Sequence, residues 1–386
     1  MDRHIPVIVS EGGPYQRGCH LGIHATNRVA HAVDAYMSLF HTRVGLPRED
    51  VRAHAARFIP LIERLTPSLY QEMRGIASGS GQDLHDIVAI NARTELLYGL
   101  GARAECTAIG AVSPASADAH VRIGQNWDWH PSLAGSLVLW VLRRDQETDV
   151  ITLTEAGMVG KIGVNAAGLA LCVNLLQSDS DHQEPALPMH LILRHVLDTA
   201  RSVDQAVRLL AGIERATSCN HLLADQRGGL ASVEATPGGQ AVLRAPDGVL
   251  VHTNHCLDAT LFAGDRGVRS YDETLARHGR ASGLAHDLLP LDEQAFRQIL
   301  ADHATAPEAI CRHVQVDLPD EEQAESVASI LVDLTAGTLD LADGPPCDYP
   351  YRRLALGEYL RRPPVRDVPA AHRPRSPVPS DAGVQA

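Results

Sequence analysis

Residues 102–112 read "ARAECTAIGAV", a charged, turn-like run that passes at Cys106 into small and β-branched residues. The texture of the chain differs on the two sides of that junction. Before it, "YQRGCHLGIHATNRVAHAVDAYMSLF", "DVRAHAARFIPLIERL", "SLYQEMRGIASG" and "DLHDIVAINARTELLYG" carry apolar residues at three- and four-residue spacing, which predicts helices through the first hundred residues. After it, "CTAIGAV", "VRIGQNWDW", "SLVLWVLRR" and "DVITLTEAG" are short apolar or β-branched runs between turn residues, and "KIGVNAAGLALCVNLL" holds a turn-forming "NAAG" between two strand-like arms. Two helical segments, "LPMHLILRHVLDTA" and "SVDQAVRLLAGI", precede a second set of strands, "CNHLLADQ", "LASVEATP", "QAVLRAP" and "GVLVHTNH". Helical "RSYDETLARHG" and "DEQAFRQILADHA" then lead to a last hairpin, "SVASILVDLTAGTLDLADG". Strands gathered in sets with helix pairs between them predict an α+β protein of stacked antiparallel sheets flanked by helices.

Composition narrows the classes. With 386 residues and 45% hydrophobic content the chain can bury a sizeable core. A formal charge of -13 and the lack of any Lys/Arg-rich run give no field for nucleic acid. The sequence shows neither an apolar run long enough to span a membrane nor, in "MDRHIPVIVSEGG", a secretory signal, so the expected compartment is cytoplasmic. Seven cysteines are scattered with no C-x-x-C pair, so neither a disulfide framework nor a zinc ribbon is expected. The single lysine, Lys161, set against many arginines, reads as coding bias and carries no functional expectation. The tail 363–386, rich in Pro, Ala and Ser, is expected to be disordered.

Several residues could carry chemistry, each with a plainer alternative. Cys106 heads one strand and Asp128 lies near the end of the next. A hairpin would bring those ends together, although from the residues alone a buried cysteine at a strand edge is the plainer reading. Trp127 and Trp129 would share one strand face, with Asp128 on the other. Asn254 of "VHTNH" could donate to a developing oxyanion or simply form a turn. His252 and His255 are three apart and so face opposite sides of a strand, which argues against a shared metal. His20 and His24 have i, i+4 spacing but neither the glutamate of H-E-x-x-H nor a third ligand. No metal and no cofactor is expected. The serine-hydrolase, P-loop and dinucleotide signatures are absent.

In order along the chain, "GGPYQRGCHLG", "MRGIASGSGQDLHDIVAINARTELLYGL", "ECT", "GQNWDW", "TEAGMVGKIGVNAAG" and "VHTNHCL" together resemble the acyl-coenzyme A:isopenicillin N acyltransferase family of N-terminal nucleophile (Ntn) hydrolases, from about residue 11 to about residue 360. The resemblance implies an αββα sandwich and a precursor that cuts its own chain between Glu105 and Cys106. Residues 1–105 would then form a helical α subunit and 106–362 a catalytic β subunit, held together as partners. It further implies Cys106 as nucleophile, Asp128 as the group orienting its α-amine, Asn254 as oxyanion donor, and Ser218 as a serine near the nucleophile. Two departures stand out. Glu105 occupies the place of a glycine, and "QAESVASI" lacks the family's Ser-Arg pair.

The expected function is cleavage of a small acyl-amide through an acyl-Cys106 thioester, with the acyl group passed to water or an amine. The alternatives are acyl-CoA-dependent N-acyl transfer, with acyl-CoA as the small-molecule partner, and an unprocessed, non-catalytic family member.

Overall fold

The computed structural model describes residues 2–97, 105–145, 147–270 and 273–361. Chain junction 102–104 and tail 363–386 therefore lie outside the described residues. The described strands are β1 (Val7–Glu11), β2 (Glu105–Ala111), β3 (Arg122–Trp129), β4 (Leu137–Arg143), β5 (Val150–Glu155), β6 (Ile162–Asn165), β7 (Leu169–Leu175), β8 (Cys219–Asp225), β9 (Leu230–Thr236), β10 (Gly239–Leu243), β11 (Val249–His252), β12 (Glu325–Asp333), β13 (Thr338–Ala342) and β14 (Arg352–Ala355). One sheet runs β1-β4-β5-β6-β7-β8-β9-β10 and the other β11-β2-β3-β12-β13-β14.

The two sheets face each other through β2, β3, β7 and β8, and their apolar inner faces, including Ala108, Trp127, Leu171 and Leu223, form the main core. Helices Met189–Thr199 and Val203–Ala211 cover the outside of the first sheet. Helices Glu273–Asp287 and Glu293–Leu300 cover the outside of the second, where Phe296, Ile299 and Ala281 build a separate apolar cluster. This is the expected α+β, αββα sandwich. Buried on both faces, its central strands carry near-continuous apolar runs instead of strict alternation. Among the described residues no helix is long and apolar enough to cross a membrane.

Two differences from the sequence reading have a physical origin. The first hundred residues are not all helical: "VIVSE" forms β1, which joins β4 in parallel, with Val7 opposite Leu139, so the first sheet is not purely antiparallel. A single short strand with no hairpin partner gives no local signal. The first long helical pattern is two helices, Pro14–His24 and Thr26–Val44, broken at Ala25.

The glycines of "QRGCHLG" and "MRGIASG" serve packing. Helices Pro14–His24 and Pro67–Ser80 approach so closely that a Cβ on Gly18 would lie 2.0 Å from the Glu72 carbonyl oxygen, and one on Gly75 would lie 2.1 Å from that of Tyr15. Beside this contact the buried Glu72 carboxylate pairs with Arg17 at 2.7 Å and with Arg194 at 2.9 Å, tying the helices to the first sheet's outer layer.

Candidate active site

Cys106 stands near the start of β2, in the interior of the second sheet. β3 pairs on one side, with Cys106 opposite Trp127 and Glu105 opposite Asp128, and β11 pairs on the other, with His252 opposite Ala108. Directly opposed residues share a face. The Cys106 thiol therefore lies with Trp127 between the sheets, and Asp128 projects to the outer side, where its Oδ1 accepts a 2.6 Å hydrogen bond from Ser326. The hairpin brings the two residues together at the backbone, with the side chains on opposite faces.

Beyond β11 the chain delivers Asn254 to the same point. Its Oδ1 accepts from the Cys106 N–H at 2.8 Å and from Arg277 Nη2 at 3.1 Å, while its Nδ2 donates to the Leu175 carbonyl at 3.0 Å. Two donors at the oxygen and a carbonyl at the nitrogen fix the orientation of this amide. Arg277, on helix Glu273–Asp287, is fully buried and donates through Nη1 to the Cys106 carbonyl at 3.0 Å and to Thr107 Oγ1 at 3.2 Å. Asn174 Nδ2 donates to the same carbonyl at 3.3 Å.

A narrow cavity of about 20 Å³ opens beside Cys106. Its walls include Trp127, Trp129, Val173 and Leu175, together with the cations Arg93 and Lys161. Such a volume holds about one water. Lys161 Nζ stands 3.7 Å from Glu155 Oε2, and Arg93 stacks over the Trp129 ring with 4.2 Å between its guanidinium carbon and the ring centroid.

Burial sets the charge states. It pushes the Cys106 thiol up to about 11; the Asp128 charge adds to the rise, and Lys161 and hydrogen bonds from the Asp128 backbone and the Gln125 side chain oppose it. Burial also raises Asp128 to about 7, against the pull of Arg277 and the Ser326 hydrogen bond. Lys161 is drawn down to about 7 by the same desolvation, against Glu155. Asp128 and Lys161 are thus both shifted toward neutrality, one on each face of the strand pair that carries Cys106.

A family model, acyl-coenzyme A:6-aminopenicillanic acid acyl-transferase, matches residues 116–346. The chain belongs to that family. It is an enzyme of the acyltransferase type. A relative from Emericella nidulans, the acyl-coenzyme A:6-aminopenicillanic-acid-acyltransferase 40 kDa form, is 28% identical over 309 residues, covering 79% of this chain and 84% of the relative. Among solved structures, penicillin V acylase from Agrobacterium tumefaciens matches with a TM-score of 0.44 and 18% identity, over 61% of this chain and 82% of that one. A variant of conjugated bile acid hydrolase from Clostridium perfringens gives 0.48 and 15%, over 66% and 93%.

Within this acyl-transferase family chain, Asp128, Ser218 and Asn254 fall inside the matched region and Cys106 precedes it. The fold brings Cys106, Asp128 and Asn254 together. Ser218 is engaged elsewhere: its hydroxyl donates to Asp181, and its carbonyl accepts from Leu176 next to the residue that holds Asn254. His252 pairs with Glu234 at 2.9 Å while His255 meets Thr253 and Thr274, so the two histidines have separate partners. His20 and His24 stack at 4.1 Å, and no third ligand joins them among the described residues.

Arg277, Lys161 and Arg93 escaped the sequence reading. Lys161 had a signal, being the sole lysine in the chain, and the fold places it in the wall of the cavity beside Cys106. Arg277 and Arg93 are two among many arginines in amphipathic helices, where only burial distinguishes them.

Proposed function

We propose that the chain cuts itself between Glu105 and Cys106 and that the freed Cys106 then cleaves small acyl-amides by a thioester mechanism. In the cut, the Cys106 sulfur attacks the Glu105 carbonyl carbon and the C–N bond breaks. The nitrogen leaves with a proton as the α-amine, and water hydrolyses the thioester. The products are a segment 1–105 and a segment that begins at Cys106.

The observation that carries this reading is the convergence of Asn254 and Arg277 on the backbone of Cys106, beside the carboxylate of Asp128. Asp128 Oδ2 is buried and accepts no hydrogen bond among the described residues, which leaves an acceptor for the new α-amine. That amine, with an ordinary pKa of about 7.7 to 8.0, then takes the thiol proton as the sulfur attacks the substrate carbonyl. Asn254 keeps a second Nδ2 hydrogen for the oxyanion beyond the one given to Leu175. Ser218 acts one step away, by bracing Leu176.

Hydrolysis is favoured over transfer from acyl-CoA because a formal charge of -13 does not attract a polyanionic cofactor. The acyl-CoA reading draws support from the name of the matched family and of the Emericella relative. Seven free cysteines fit a reducing, cytoplasmic setting. Intact mass spectrometry of the purified protein tests the reading: two fragments that divide at Glu105/Cys106 in the wild type and one chain in Cys106→Ala are expected. A fully active wild type with an uncut chain overturns it.

A further inference from the structure

Far along the chain from the catalytic residues, His303, Cys311, His313 and Cys347 converge on one point, with their potential ligand atoms all within 4.8 Å of one another. Cys311 Sγ and Cys347 Sγ are 3.6 Å apart, His303 Nε2 and His313 Nε2 are 3.1 Å apart, and His313 Nε2 lies 3.2 Å from Cys347 Sγ and 3.9 Å from Cys311 Sγ. A tetrahedron with Zn–S near 2.3 Å and Zn–N near 2.0 to 2.1 Å has edges of about 3.8 Å between sulfurs, about 3.5 Å from sulfur to nitrogen, and about 3.3 Å between nitrogens. The observed spacings match those edges within the adjustment that side-chain rotation allows.

We propose that these four residues bind one Zn²⁺ ion in a tetrahedral Cys₂His₂ site. Mixed thiolate and imidazole donors in this geometry select zinc over the oxygen-preferring cations, and four protein ligands make the site structural. Two thiolates balance the charge of the ion. Both histidines coordinate through Nε2, and Asp348 Oδ2 stands 3.7 Å from His313 Nδ1, on the side where a carboxylate orients a ligating imidazole. His303 and Cys347 are exposed, which gives the ion a path in. Sequence spacing concealed the set: Cys311 and Cys347 are 36 residues apart, with no C-x-x-C, so the expectation of no metal followed naturally.

The site reaches the rest of the molecule through the residue between two of its ligands. Arg312 N–H donates to Ser326 Oγ and the Arg312 carbonyl accepts from Ser326 N–H, both at 3.0 Å, and the Ser326 hydroxyl donates to Asp128. The same loop is held from below by Asn126 Nδ2, which donates to the carbonyls of Leu300 and Ile310. Zinc thus locks the segment that positions the Asp128 carboxylate.

The full-length wild type, purified without chelators or added metal and then loaded with Zn²⁺ under reducing conditions, is expected to retain one equivalent by elemental analysis after desalting. Co²⁺ in its place is expected to give a thiolate-to-cobalt charge-transfer band and the intense visible bands of a tetrahedral ion. Competition with a chromophoric chelator is expected to show Zn²⁺ affinity down more than about a hundredfold in Cys347→Ser and His303→Ala, and about tenfold in Asp348→Asn. Because Cys347 and His303 are exposed, the fold of these variants is preserved, which circular dichroism checks. Three results would each overturn the proposal: wild type that retains no ion, a chain two mass units light from a Cys311–Cys347 disulfide under reducing purification, or unchanged affinity in both ligand variants.

Discussion

Lys161 Nζ lies 3.5 Å from the centroid of the Trp127 ring, so the sole lysine of the chain is held as a cation on an aromatic face directly beside the Cys106 thiol. Desolvation opposes its charge, while Trp127 and Glu155 support it. Lys161→Met is expected to slow alkylation of Cys106 by iodoacetamide at pH 7 by roughly three- to tenfold, because the nearby charge that favours thiolate is gone. In the wild type that advantage fades as the pH rises through about 7 and Lys161 deprotonates. An equal rate in both proteins across that range would remove Lys161 from the site's electrostatics.

Asp128→Asn should separate stability from activity. The carboxyl is raised to about 7 in the fold, above its ordinary value of 3.8, so the folded protein holds a proton that the unfolded chain releases between those values. Its contribution therefore falls as the pH rises from about 4 to about 7. At pH 8 the amide variant, which buries no charge, is expected to melt at the same temperature as the wild type or higher, while turnover drops by about a hundredfold or more. Calorimetry and active-site-titrated rates on one preparation check both halves.

Asn254→Ala is expected to lower kcat by about a hundred- to a thousandfold with little change in KM, the pattern of a donor used mainly in the transition state. Arg277→Lys keeps the charge and loses the fork that reaches both the Cys106 carbonyl and Asn254. Its expected result is a precursor that matures slowly. Normal maturation in that variant, followed as fragment appearance on a gel, would leave Arg277 a purely structural role.

Gly75→Ala is expected to cost about 3 kcal/mol or more, since a Cβ there meets the Tyr15 carbonyl at 2.1 Å and the two helices must part. Gly283, whose added Cβ meets nothing within 4 Å, is the control: alanine there should be neutral or stabilising. Urea midpoints distinguish the two.

How much the sequence disclosed follows the range of the interactions. The hairpins β2–β3, β6–β7 and β12–β13 were legible because each is a local pattern of alternating or continuous apolar residues around a turn. The strand β1 was not, since it pairs with β4 across the helical segment and "VIVSE" gives no sign of its partner. Cys106, Asp128 and Asn254, which the fold brings near one another, were singled out through neighbouring motif residues. Arg277 and the Cys311–Cys347 pair were not, because their meaning arises only where distant segments meet in space.

The position of β1 bears on the lifetime of the enzyme. β1 and Arg93 belong to the stretch before Cys106, and β4 and Lys161 to the stretch after it. While the chain is continuous, its tether keeps that strand at an effective concentration in the millimolar range beside its groove. If the Glu105–Cys106 bond opens as proposed, this tether is gone, and a strand that once leaves must find its way back by diffusion at cellular dilution. Folding and unfolding would then cease to be reverses of each other. The mature protein would persist by the slowness of its escape, with endurance measured in hours instead of free energy, and its own first reaction would start the clock.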